Sequence, residues 1–354
     1  MKIKISSFLG QWRLRSSLLT LVLFFGGVGV FAYVVHAQDT GVAGQATPFS
    51  GVTSSSHNFN PLQVALLHWY DANLVTEIPV GFRLSPTGMA FDGSDIWVAA
   101  GSAVVKVRSS DDAILGTFNV NTTNAAFVAF DGANVWAAID GDGPGSKVLK
   151  LRASDGANLG SFDPGGNHAS VAFDGSSIWV SNIGNNTVAK LRTTDGATLG
   201  TFHTGQFPIA LACDGPNMWI ANRGDGTVTK LLASNGAHLG TFPAGKGPAG
   251  LAFDGTNMWV SNIDGHVVTK LAENGTTLGT FPVGHGPVDL VFDGANIWAA
   301  NGLDGTVTKL RASDGANLGS FPVGTPTMQA GPLHLAFDGA HIWVATGTDK
   351  VAKL

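Results

Sequence analysis

From Met89 to Leu354 short apolar runs alternate with turns of aspartate, asparagine and glycine, and the pattern returns seven times. Ala249 to Phe281 serves as the template: A-G-L-A-F-D-G-T-N-M-W-V-S-N-I-D-G-H-V-V-T-K-L-A-E-N-G-T-T-L-G-T-F. Its short stretches, each closed by a turn signal, predict strands. Strand a is L-A-F, strand b M-W-V-S-N, strand c V-T-K-L and strand d L-G-T-F-P-V-G. Asp254-Gly255 turns a into b and Asn274-Gly275 turns c into d, because these residues tolerate positive φ. No copy carries a helical period of useful length.

The F-D-G element starts at Phe91, Phe130, Phe173, Cys213 (Cys for Phe), Phe253, Phe292 and Phe337, and a tryptophan follows six residues later each time. A period of about 40 residues is the length of one four-stranded propeller blade. One such sheet cannot shield both its faces, whereas seven packed radially can. The expected fold is therefore all-β: a seven-bladed β-propeller of four-stranded antiparallel blades over 74–354. The repeated Trp, Phe and Leu become blade-to-blade core. The last copy stops after strand c, and Val75 to Gly81 matches the strand d string Leu318 to Gly324. The N-terminal strand should thus pair with the last repeat and close the ring, which removes an exposed sheet edge.

Upstream, Lys2, Lys4, Arg13 and Arg15 precede an apolar run from Leu18 to Val35, with small residues before Gln38. Residues 1–37 read as a signal peptide. The alternative is an uncleaved membrane anchor through 18–35, since that run approaches the ~20 residues that span a bilayer. Residues 38–59, rich in Gly, Ser and Thr, read as a flexible linker. Asn60-Pro61 opens an expected short helix over 60–73. The expected location is exported, periplasmic or extracellular, and the expected state is a monomer.

The formal charge of −5 becomes −9 once the four N-terminal cations are removed. Net negative charge without a basic cluster argues against a nucleic-acid partner. Cys213 is the only cysteine, so no intramolecular disulfide forms. Its place at a repeat Phe position predicts a buried, inert thiol.

The strand b segments Trp179 to Asn182, Trp219 to Asn222, Trp259 to Asn262 and Trp298 to Asn301 resemble the Y-V-T-N string of YVTN-type (YncE-like) propeller repeats, with Trp for Tyr. The F-P-V-G ends at Phe281 to Gly284 and Phe321 to Gly324 resemble the I-P-V-G ends of that family. The resemblance covers about residues 74–354. It implies exported propellers, mostly without an assigned activity. NHL-type propellers and streptogramin lyases are more distant resemblances. The lyases imply a histidine and glutamate site with Mg²⁺, but Glu77 and Glu273 are the only glutamates and neither falls in a channel-face loop.

In a propeller the d–a and b–c loops share the channel face, so uncopied polar residues there are the binding candidates. Three residues before F-D-G stand Gly88, Phe127, Ser170, Ala210, Gly250, Asp289 and His334. Seven before it, three consecutive repeats carry Gln206, Lys246 and His285. His285, Asp289 and His334 form the weak candidate set for a divalent metal or an acid–base pair. His168 and His203 lie in further d–a loops. Asn182, Asn222, Asn262 and Asn301 end strand b and serve either as loop caps or as a polar ring at the channel mouth. The copied lysines Lys106, Lys150, Lys190, Lys230, Lys270, Lys309 and Lys353 read as solvent-facing strand c residues, and the F-D-G aspartates as turn formers. Asp140 to Gly143 and Arg223 to Gly226 read as turns, because the downstream Glu of a calcium loop is missing. No cofactor is expected beyond the divalent metal alternative. The expected role is a non-catalytic scaffold for a protein or small-molecule ligand. A metal-dependent hydrolase or lyase and a cell-surface structural protein are the alternatives.

Overall fold

Seven four-stranded antiparallel sheets follow one another along the chain, with strand a innermost. The computed structural model describes residues 20–26, 29–35, 75–81, 86–120, 124–140, 146–327 and 330–354. The strands a are Pro86–Phe91, Asn124–Phe130, His168–Phe173, Pro208–Cys213, Pro248–Phe253, Pro287–Phe292 and Pro332–Phe337, which number the blades 1 to 7. The seven-bladed, all-β propeller is thereby established.

Blade 7 takes its outer strand from Thr76–Pro79, which pairs with Lys350–Lys353 in the register Thr76↔Lys353 and Ile78↔Val351. The closing strand also reproduces the packing. Ile78 stands where other blades carry a strand d phenylalanine, and it is buried in the cluster that contains Trp343.

The blades are held by a unit repeated around the ring. The F-D-G glycine takes positive φ, as at Gly255 (+90°), which frees the preceding aspartate to cap the turn. Asp254 Oδ1 accepts the backbone N–H of Asn257 at 2.6 Å, and Oδ2 accepts the Trp259 Nε1–H at 2.7 Å. The tryptophans of all seven repeats make this bond, at 2.7–2.8 Å. Trp259 is fully buried, its ring centroid 5.3 Å from that of Phe281. The c–d turn glycine of one blade lies against the strand d phenylalanine of the preceding one: a Cβ on Gly196 (φ +71°) would collide with Phe162.

The lysine expectation is corrected here. Lys150, Lys190, Lys230 and Lys270 are buried, not solvent-facing. Each reaches over the tryptophan ring of its own blade, with Nζ 4.7–5.3 Å from the centroid. Each then donates to a backbone carbonyl in the c–d turn of the next blade: Lys150 to Thr193 (2.6 Å), Lys190 to Ala233, Lys230 to Glu273 (2.8 Å) and Lys270 to Ala312 (2.7 Å). In Lys190, Lys230 and Lys270 the ammonium also stands 3.4–3.8 Å from the turn aspartate of its own blade. Lys190 thus satisfies its charge with a carboxylate, a π-face and a neighbouring carbonyl, which is why burial is tolerated. Lys309 makes no such carbonyl bond and is 27% exposed, because blade 7 draws its outer strand from elsewhere and offers no c–d turn.

Cys213 is half-buried beside the cluster of Trp179 and Met218, less enclosed than its Phe position implied. Burial pushes its thiol pKa up, which fits an inert thiol.

The chain divides into two compact units, Met1–Val64 and Ala65–Leu354. In the first, Thr20–Gly26 and Gly29–Val35 pair as an antiparallel hairpin. No described helix is long and apolar enough to cross a membrane. The expected linker 38–59 and helix 60–73 lie outside the described residues.

Candidate functional site

The channel face forms where the b–c loops of blades 3 to 7 grip the d–a loops that precede strand a of the same blades. Arg223 N donates to Phe207 O at 3.0 Å, Ile263 N to Gly247 O at 2.9 Å and Gly302 N to Gly286 O at 2.9 Å. Loop aspartates tighten the same joint: Asp225 Oδ2 accepts Gln206 N at 2.8 Å, and Asp304 Oδ2 accepts His285 N at 2.7 Å. These aspartates behave as turn ties.

A register shift then falls at the start of strand a, between Pro287 and Asp289 and between Pro332 and His334. Such a bulge re-aims the next side chain. Asp289 Oδ2 accepts the backbone N–H of Leu335 in blade 7 at 2.8 Å, and His334 Nδ1 accepts the N–H of Met89 in blade 1 at 3.2 Å. A ring nitrogen that accepts from a backbone amide keeps its lone pair. His334 is therefore the neutral Nε2–H tautomer by inference from its partner. Its Nε2 stands 3.6 Å from Asp289 Oδ2, and both side chains are 16% exposed. Phe127 meets the His334 ring edge-on at 5.4 Å from across the channel. Burial pushes the Asp289 carboxyl pKa up, only partly opposed by the amides of Leu335 and Leu290.

Asp289 and His334 are thus brought together, while His285 is engaged elsewhere. Its Nδ1 lies 2.9 Å from Asp304 Oδ1 at the mouth, and its ring meets His266 edge-on at 4.8 Å. The chain geometry explains this: His285 sits in the d–a loop, before the bulge that turns Asp289 inward. Among the described residues no group of three or more His, Cys, Asp or Glu stands close enough together to hold a metal ion.

His168 and Asn182 also meet, Nδ1 to Oδ1 at 2.8 Å, but both are buried inside blade 3. Asn222, Asn262 and Asn301 are fully buried, and each donates Nδ2 to a strand c threonine at 2.7–2.9 Å. They seal loops and form no ring at the mouth. Their Oδ1 atoms find no partner among the described residues, a cost for which the structure shows no compensation. His203 and Lys246 are exposed.

Two residues that sequence reasoning missed complete the face. Arg223 is half-buried, and no hydrogen bond or ion pair engages its guanidinium among the described residues. Beside it Phe207 is 42% exposed at φ +57°, where the equivalent positions of blades 5 and 6 are Gly247 (+66°) and Gly286 (+64°). A bulky residue at positive φ is a strained exception. The signal was in the sequence: Phe in a loop position where neighbouring copies carry glycine.

Arg223 and Asp289 border one cavity of about 210 Å³, whose other walls include Phe127, Ile209, Val288 and Leu333. A cavity of about 500 Å³ opens at the ring closure, but there Lys350 and Glu77 pair with each other at 2.6 Å.

The fold and this face define a seven-bladed β-propeller with a small, mixed-charge channel cavity. A solved structure described as a streptogramin B lyase is similar, with TM-score 0.66 and 17% identity, covering 79% of this chain and 96% of that one. At that identity the likeness speaks for the fold alone. No family model matches the chain, and no curated protein matches it.

Proposed function

We propose that this chain is an exported, non-catalytic binding protein of the YVTN type, with its ligand in the channel cavity. The observation that carries the reading is Arg223, which borders a cavity with apolar walls and whose guanidinium has no polar partner among the described residues. Ligand sites are typically concave and mostly apolar, with a few placed polar groups. The copied charges, by contrast, are largely consumed in joining blades. The YVTN assignment draws on the W-V-S-N strands and F-P-V-G ends. The export reading draws on the charge and apolar pattern of residues 1–37. An isolated chain starting at Gln38 supports it, and a retained 18–35 favours a membrane-tethered surface protein.

The test fills the cavity. Ala210 borders it and occupies the repeat position at which blade 2 carries Phe127, so the fold already accepts phenylalanine at that position. A small-molecule screen by ligand-observed NMR should give binders to the wild-type chain that Ala210→Phe loses. Binders indifferent to that substitution, or none at all, would overturn the reading.

The contact of Asp289 with His334 favours a second reading, a hydrolase or lyase using that pair, and the described neighbour bears a lyase name. Elemental analysis separates the two: stoichiometric divalent metal that His334→Ala removes would support the enzyme.

A further inference from the structure

The cavity brings together one fixed cation and one carboxylate without letting them neutralise each other. Arg223 enters from a b–c loop of blade 4 and Asp289 from strand a of blade 6, and no salt bridge joins them. His334 does not relieve the carboxylate. Its Nδ1 is committed as an acceptor to Met89 N, so the ring is neutral, and at 3.6 Å its Nε2 is beyond hydrogen-bond length. Among the described residues Asp289 is left with the amides of Leu335 and Leu290 and no cationic side chain in contact.

Between these two groups the walls are apolar: Phe127, Ile209, Val288 and Leu333. The cavity of about 210 Å³ lies below the roughly 300–1,000 Å³ of drug-sized pockets, which points to a ligand of metabolite size. A purely anionic ligand would meet Asp289, and a purely cationic one would meet Arg223. Each would leave one charge desolvated without a partner, which is costly in a buried site.

We infer that the channel cavity binds a small zwitterion with an apolar body, its carboxylate on Arg223 and its ammonium on Asp289, the class of free hydrophobic amino acids. The copied lysines and F-D-G aspartates contribute nothing to this selectivity. Arg223 has no counterpart in blade 5, where Ile263 stands, or in blade 6, where Gly302 stands. Asp289 has none in blades 4 and 5, where Ala210 and Gly250 stand. Phe207 forms an exposed aromatic lip beside the arginine.

The inference rests on the proposed binding role, and the test keeps the two apart. The full chain is titrated by calorimetry with L-leucine, with its isomer 6-aminohexanoate, and with 4-methylpentanoate and isopentylamine, which keep one charge each. At least one zwitterion should bind, and each single-charge analogue should bind about tenfold or more weakly. Binding of leucine assigns an α-amino acid, and binding of 6-aminohexanoate alone assigns a wider charge separation. Arg223→Met and Asp289→Asn should each weaken the zwitterion about tenfold or more, with thermal melts confirming that the variants are folded. Equal or tighter binding of a single-charge analogue would overturn the zwitterion and leave the binding role standing. Failure of all four probes, alongside hits from the NMR screen, would likewise sink this inference alone.

Discussion

The lysine belt and the channel face are built from the same repeat and use charge in opposite ways. In the belt, Lys190 touches a carboxylate, a tryptophan face and a carbonyl of the next blade, and is 6% exposed. On the channel face, Arg223 is half-buried and touches no polar partner among the described residues. The belt repeats from blade to blade, while the channel groups differ from one blade to the next. The lesson is that the copied lysines tie neighbouring blades together, whereas Arg223, which the neighbouring blades do not copy, has no polar partner among the described residues.

The largest effect should come from the belt's aromatic core. Trp259→Ala removes a fully buried ring together with its hydrogen bond to Asp254, and should cost about 3–5 kcal/mol in urea unfolding. Next, Lys190→Met leaves Asp174 buried without its cation and should cost about 3 kcal/mol. Lys309→Met is the internal control: 27% exposed and without the carbonyl bond, it should cost about 1 kcal/mol or less. Equal losses at the two lysines would break the comparison.

Acid should attack the same belt. Burial raises the carboxyls of Asp92, Asp174, Asp254 and Asp338, but their Trp N–H and other hydrogen bonds outweigh it and hold them below the ordinary 3.8. Groups depressed on folding contribute stability above the unfolded value and lose it as pH falls through the folded one. The urea midpoint should therefore fall steadily below about pH 4, and Asp254→Asn should flatten the fall. The smallest effect is expected at the mouth. Phe207→Gly relieves positive φ and should stabilise by up to about 1 kcal/mol in urea unfolding.

The architecture was legible because a 40-residue period and a displaced strand d string are local patterns. Lys190 was misread because alternation along strand c places its side chain on the Val188 side, opposite Leu191, but does not say what covers that side. What it meets is a carbonyl 43 residues away in another blade. The Asp289 and His334 contact was legible from equal offsets in adjacent repeats. His285 was not separable from it, since a bulge of one residue decides which side chain turns inward. Arg223 was passed over inside an apparent turn, because a missing partner is visible only once the neighbours are placed.

The division between building and recognition is tested most directly by one variant measured twice. Arg223→Met should leave the unfolding free energy in urea within about 0.5 kcal/mol of wild type, as a side chain without a polar partner among the described residues requires, while weakening zwitterion binding about tenfold or more by calorimetry. A loss of stability on the scale of Lys190→Met, or unchanged binding, would contradict the account.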